Sequence, residues 1–428
     1  MVPPDSRLAG TVGGREAWKL VVQDTLVFLL AGGEGERLHP LTRDRAKPAV
    51  PFGGIYRIVD LTLSNCINSG LRRIFVVTQY KALSLNRHLR EGWSILSEEL
   101  DEFISVLPPM RRVGEHWYQG TADAIYQNLY SLGSEPCKYV LVLSGDHVYK
   151  MNYQLMLRQH EESGAGVTIG TIEFDRSTAS SFGVVEVDKD NRIVGWQEKP
   201  ANPKPSPRNP AKSNVSMGIY CFNRNLLIET LLADADDPGS SHDFGRDVIP
   251  KLIGKEKVCS YDFRDENKKE AKYWRDIGTI EAYYEANMDL VSVSPVFNLY
   301  DFDWPIRTYQ RQYPPAKFVF AEEGRRMGIA IDSIVSMGSI VSGGRVMNSI
   351  LSPDVRINSY TEVENCILFS HVNIGRYSRI RQAIIDRAVH IPERTEIGFD
   401  LEEDRKKYHV TDSGIVVVVP EQRMFEEP

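Results

Sequence analysis

The stretch Val27–Pro48, VFLLAGGEGERLHPLTRDRAKP, joins two kinds of chain that rarely meet. A short apolar run, suited to a strand buried on both faces, ends in Gly32, Gly33 and Gly35. Arg37, Arg43, Arg45 and Lys47 follow at once. Glycines let a backbone come close to a ligand and aim its N–H groups at it, and the cations supply the charge that a phosphate needs. The loop lacks GK[ST], and Leu38 stands where G-x-G-x-x-G requires its third glycine, so it is neither common phosphate loop. The residues point to a nucleotide held by another device. The competing reading is a glycine-rich turn with solvated arginines.

Outward from this loop, strand and helix signals alternate from Asp24 to about Leu290. IVDLTLSNCINSG has helical spacing and stops at Gly70, RRIFVVTQY and KYVLVLSGDHVY read as strands, and GTADAIYQNLYSLG reads as one helix capped by Thr121 and ending at Gly133. This rhythm predicts an α/β domain with a mostly parallel, Rossmann-like sheet covered by helices on both faces. FGVVEVDKDNRIVGWQEKP reads as a hairpin, and TIEAYYEANMDLVSV as a helix capped by Thr279. A proline-punctuated segment then reads as a linker. Beyond it, apolar residues such as Ile334, Ile340, Val346, Val363, Ile374, Ile380, Ile391 and Ile397 recur at steps of about six, the mark of a parallel β-helix. A β-sandwich is the alternative from pattern alone. The expected division is an extension at 1–23, a catalytic domain at 24–293, a linker at 294–328 and a β-helix at 329–428.

The net charge of −7 argues against a nucleic-acid partner and makes the positive loop a local feature suited to a small anion. Five scattered cysteines form no CxxC pair, which disfavours a disulfide framework or zinc site and suits a reducing cytoplasm. No apolar run reaches the roughly 18 residues of a membrane span, and no signal peptide is read.

The segment LAGGEGERLHPLTRDRAKPAVPFGG resembles the G-G-x-G-x-R-L and K-P signature of nucleotide-sugar pyrophosphorylases. LSNCINSG, WYQGTADAIYQN, GDHVYKMNY, FGVVEV, EKPANP, SMGIY, HDFGRDVIP and YWRDIGTIEAYYEAN extend the resemblance, in family order, to the bacterial ADP-glucose pyrophosphorylases, or glucose-1-phosphate adenylyltransferases. The resemblance implies that the C-terminal β-helix is left-handed. It also implies synthesis of ADP-glucose and pyrophosphate from ATP and α-D-glucose 1-phosphate, for glycogen or another α-glucan. Such a reaction joins two polyanions, so its burden is charge and alignment.

Carried over residue by residue, Leu30, Gly32, Gly33 and Gly35 fall at the nucleotide, with Gln79, Tyr118, Gly120, Thr121 and Asp123. Arg37 and Lys47 fall at the triphosphate as catalytic cations, and Asp146 and Asp276 as catalytic ligands of Mg²⁺. Asp146 also ends a strand, where open α/β sheets bind ligands. The sugar phosphate is expected at Gly183, Glu198, Lys199, Ser216, Tyr220 and Asp243. A helix beginning near Thr121 would offer free N–H groups. Packing is the competing reading of Tyr118.

The family is typically tetrameric and tuned by central-carbon metabolites. Arg45, Arg57 and Arg387 fall on its effector positions, but Asp44 and Val410 replace cations found in members that favour sugar bisphosphates, which counts against fructose 1,6-bisphosphate. Three rivals remain: an acyltransferase using His371 or His390 of the coils, a regulatory subunit without turnover, and an enzyme of the same class using UTP, dTTP, GTP or CTP.

Overall fold

The computed structural model describes residues 20–33, 35–109, 117–269, 272–322 and 326–420. Most of the N-terminal extension therefore lies outside the described residues. The first domain is built on a nine-stranded sheet: β1 (Thr25–Leu30), β2 (Arg73–Val77), β3 (Phe103–Leu107), β4 (Tyr139–Ser144), β5 (Val167–Asp175), β6 (Gly183–Val187), β7 (Ile193–Glu198), β8 (Lys212–Asn223) and β9 (Val258–Asp262). The spatial order is β7-β6-β8-β4-β1-β2-β3, with β5 also on β8 and β9 on β5. Strands β4, β1, β2 and β3 run parallel, as do β5 and β9. The long β8 runs antiparallel to β4 and β5, and the β6–β7 hairpin is antiparallel as well.

Alternation along β1 divides the core. Val27 and Leu29 face one apolar cluster, which takes in Val59 and Leu63 from the helix Ile58–Asn68. Leu26 and Phe28 face a second, with Ile125, Leu227 and Leu231 from helices on the other side. A parallel strand covered on both faces must read as a continuous apolar run, as VFLL does. The C-terminal ends of β1, β2 and β4 then deliver the glycine loop, Gln79 and Asp146 to one edge of the sheet.

One expected helix is two. It runs Thr121–Tyr126 and again Leu129–Ser134, with Asn128 between them donating to Ala124 O and to the Tyr118 hydroxyl. Thr279 does cap its helix, accepting from Ala282 N.

The C-terminal residues wind into a left-handed parallel β-helix. Arg345, Glu362, Arg379 and Glu396 stand in register on successive coils, with Glu362 and Arg379 17 residues apart. The strand Lys317–Val319, inside the segment read as linker, already pairs in parallel with Ile340–Ser342. Three corners of the coil repeat in left-handed backbone: Asn348, Asn365 and Gln382; Asp354, His371 and Ala388; Tyr360, Tyr377 and Arg394. A single apolar cluster joins the domains, with Leu38, Val50, Phe52 and Tyr283 on one side and Ile350, Ile367, Phe369 and Ile384 on the other.

Because Ile384 is fully buried in that shared cluster, Ile384→Ala should destabilise the chain by about 2–5 kcal/mol. The measurement is the urea midpoint, and an unchanged midpoint would show that the cluster does not support both domains.

Candidate active site

The anion loop is shaped by one left-handed residue. Gly35 has φ +66°, and a Cβ there would stand 3.0 Å from Lys47 Cβ and 3.1 Å from Thr42 Cγ2. Only glycine fits both the backbone and the space. Thr42 Oγ1 donates to Gly35 O at 2.9 Å and pins the loop to the chain that leads to Lys47. A Cβ on Gly32 would stand 2.8 Å from Gln79 Cβ, while Gly33 faces open space. Leu30 is the last residue of β1, at the loop's root. Arg37 is exposed, and its guanidinium lies against Gly278 beside the Asp276 carboxylate.

Lys47 is 7% exposed. Its ammonium donates to Asp146 Oδ2 at 2.7 Å and to Asp276 Oδ1 at 3.2 Å. Burial opposes its charge, yet the two carboxylates hold its pKa above the ordinary lysine value. Burial likewise works against the Asp146 carboxylate, but Lys47, His147 and a Ser144 hydroxyl hold it well below the usual range. The carboxylate therefore stays ionised at any physiological pH.

Asp146 and Asp276 come together through a ribbon set beside the main sheet. His147–Tyr149 pairs antiparallel with Trp274–Asp276, and His147 stands directly opposite Asp276. Donor atoms of Asp146, His147 and Asp276 lie within 4.8 Å of one another. Two carboxylates beside the glycine loop suit a hard divalent cation, so the residues present fit a metal. Sequence reasoning assigned no role to His147 or Ser144. His147 Nε2 lies 3.5 Å from Asp146 Oδ1, its ring packs on Trp274 at 4.9 Å, and Nδ1 is buried with no partner among the described residues. The available signal was its place immediately after Asp146.

Of the other residues expected at the nucleotide, Gln79 lies against the loop, while Gly120, Thr121 and Asp123 lie with His242 and Asp243. Gln79 Nε2 donates to Tyr118 O at 3.2 Å. The Tyr118 ring is buried in the core and its hydroxyl accepts from Asn128, so this side chain packs while its carbonyl meets Gln79. Gly120, not Thr121, is the helix cap. The first N–H groups of that helix are not free: Ala122 N and Asp123 N both donate to His242 O. Thr121 Oγ1 instead spans to Asp243 Oδ2 at 3.0 Å, and a Cβ on Gly120 would stand 2.2 Å from His242 O. Asp123 accepts from Gln119 N and Gln127 Nε2.

The sugar-side residues converge around β7 and β8. The β8 ladder breaks between Ser216 and Tyr220, where Gly218 takes φ +68°. Tyr220 is buried; burial first, then the Asp243 and Glu198 charges, push its phenol up, against a hydrogen bond with Ser216. Asp243 accepts from Gly245 N and Arg246 N, and Glu198 from Trp196 Nε1. Lys199 is exposed, in left-handed backbone at φ 42°, with its ammonium 3.8 Å from Glu198. A Cβ on Gly183 would stand 2.5 Å from the Trp196 ring, so packing by itself calls for glycine there.

The three arginines expected to bind an effector meet at the domain junction. Arg45 Nη2 bonds both Asp386 oxygens at 2.9 Å. Arg57 donates to Ser84 O, and burial, followed by the nearby Arg45 and Arg387 charges, lowers its pKa to about 10 against the pull of Asp60. Arg387 is exposed. Asp44 pairs with Arg43, while Arg405 and Lys406 pair with glutamates of their own helix. In the coils, His371 pairs with Asp354 and His390 is exposed. No helix among the described residues is long and apolar enough to cross a membrane.

Comparison with known proteins covers both domains. Residues 26–293 match the nucleotidyl transferase family, and residues 314–418 match the GlmU-like C-terminal hexapeptide family. A glucose-1-phosphate adenylyltransferase of Koribacter versatilis is 67% identical over 95% of this chain and 97% of its own length. Proteins of the same name from Rhodopirellula baltica (55% identical, over 93% of this chain and 90% of theirs) and Methylococcus capsulatus (51%, over 94% of each) align as fully. With such identity sustained from the glycine loop through the coils, the chain belongs to the glucose-1-phosphate adenylyltransferases.

Proposed function

We propose that the chain transfers the adenylyl group of ATP to α-D-glucose 1-phosphate. A phosphate oxygen of the sugar attacks the α-phosphorus, the bond to the β-phosphate oxygen breaks, and ADP-glucose and pyrophosphate form. The nucleophile is already an anion, so the site needs charge and alignment more than a base. One observation carries this reading: a buried ammonium bonded to two carboxylates sits at the foot of a glycine loop that can admit a triphosphate.

In this scheme Gly33 and Gly35 leave the backbone bare for the phosphates, and Arg37 and Lys47 offset their repulsion. Asp146 and Asp276 would hold the divalent ion. Mg²⁺ suits them best, since it favours hard oxygens shared with phosphate and water. When bound, it supplies Lewis-acid neutralisation of phosphoryl charge. Lys199 would meet the sugar's phosphate, while Glu198, Ser216, Tyr220 and Asp243 shape the hexose pocket. Retention of Arg37, Lys47, Asp146 and Asp276 favours turnover over a purely regulatory role.

The product would supply α-glucan synthesis in the cytoplasm, from a homotetramer. Arg45, Arg57 and Arg387 would receive an anionic effector from central carbon metabolism, one other than fructose 1,6-bisphosphate given Asp44 and Val410. Catalysis is assigned to residues 24–293 and the effector junction to their contact with residues 329–428.

Pyrophosphate release from glucose 1-phosphate with each NTP tests the substrate assignment, and faster turnover with UTP or dTTP would overturn it. Asp146→Asn should lower kcat at least about a hundredfold with the fold retained; near-normal turnover would remove Asp146 from the metal site. Lys199→Ala should raise KM for glucose 1-phosphate about ten- to a hundredfold and leave KM for ATP unchanged. A change in the ATP value alone would move Lys199 to the other substrate. Arg387→Ala should abolish the response to whichever anion activates the wild type while leaving unstimulated kcat within about twofold. An unaltered response would place the effector elsewhere.

A further inference from the structure

The two carboxylates proposed to hold the divalent ion already hold the Lys47 ammonium, at 2.7 Å and 3.2 Å. Lys47 donates to no other acceptor among the described residues. An ammonium and a divalent cation compete for the same oxygen lone pairs and repel each other, so both cannot rest there. A metal that took the position would strand a nearly buried ammonium without counter-charge, a state that proteins avoid.

Relief lies close by. The Lys47 stem passes under the anion loop, its Cβ within 3.0 Å of the position that a Gly35 Cβ would take. An ammonium displaced from the carboxylates can therefore turn towards phosphates seated on that loop. A nucleoside triphosphate would give it the charge that the metal had taken.

We propose that Lys47 is the resident occupant of the divalent-ion position and that metal and nucleotide consequently bind interdependently. The proposal rests on the metal assignment made above. In free protein the ammonium keeps the carboxylates paired and metal affinity low. With nucleotide present, Lys47 exchanges carboxylates for phosphates and the ion enters. Early, unpartnered metal binding is thereby suppressed.

The test is titration of Mn²⁺ against the full-length protein, with free Mn²⁺ read by electron paramagnetic resonance. Titrations run with and without the unreactive analogue α,β-methylene ATP, and a protein-free titration corrects for metal chelated by the analogue. Wild type should bind Mn²⁺ weakly alone and at least about fivefold more tightly with the analogue. Lys47→Met, with Lys47→Gln as a second neutral variant against a folding defect in either, should bind Mn²⁺ at least about tenfold more tightly than wild type without nucleotide and gain less from the analogue. Arg37→Gln also removes a nearby charge but frees no shared oxygen, and should change the affinity by less than about twofold. If neither neutral Lys47 variant binds Mn²⁺ more tightly than wild type, or if Arg37→Gln tightens binding equally, the resident-cation proposal is wrong. Asp146→Asn separates the two levels: binding at wild-type affinity in that variant would overturn the metal assignment itself.

Discussion

A buried ammonium must keep counter-charges within contact distance, and Lys47 draws its two from chain 99 and 229 residues away. That requirement organises the catalytic end of the molecule. Asp146 is delivered by the end of β4, Asp276 by a ribbon paired to the residue after Asp146, and Lys47 by the loop that β1 opens. Gly35 must be glycine because the Lys47 stem lies against it. A buried ion pair contributes little net stability once desolvation is counted, so a trio of this kind is better explained by chemistry than by folding. The arrangement is thus held together by the same charges to which catalysis is assigned above.

Features carried by local chain were legible in the sequence. The apolar run of β1, the glycines, the cationic loop and the Thr279 cap each express a rule acting over a few residues. Features fixed by distant partners were not. Thr121 looked like a cap because it precedes a helical pattern, but its hydroxyl is claimed by Asp243, 122 residues on. Nothing in the chain around Gly120 and Gly183 told that a side chain there would meet His242 O or the Trp196 ring. His147 had its place next to Asp146 as a local signal, but its position opposite Asp276 comes from the ribbon, whose strands are far apart in the chain.

The β-helix shows both sides of this limit within one domain. A step near six residues was visible because each flat face buries one apolar side chain per turn. Coils of 17 residues, as between Glu362 and Arg379, are one short of three full steps, and the left-handed corners Asn348, Asp354, Tyr360 and Asn365 place the short step between the last two. Those corners place non-glycine residues such as Tyr360 and Tyr377 in left-handed backbone, which L-residues adopt at a cost. Stacking answers part of it: the two rings lie 4.9 Å apart and nearly parallel, with Arg394 over one face. The charged column does the same on a flat face, where Arg379 bridges Glu362 above and Glu396 below.

The junction of the two domains then has a mechanical consequence. Arg45 and Lys47 belong to one short segment, with Ala46 between them fully buried. Arg45 is fixed to the β-helix through Asp386, and Lys47 to the Asp146 and Asp276 carboxylates. The segment is clamped at both ends by ion pairs, and the apolar cluster beneath it, from Leu38 to Val417, is shared by the two domains. Loss of the Arg45 contact, two residues from Lys47, would leave the buried Asp386 carboxylate without its guanidinium partner. The junction and the carboxylate edge of the sheet are therefore joined by the same few residues, with no long relay through the sheet between them.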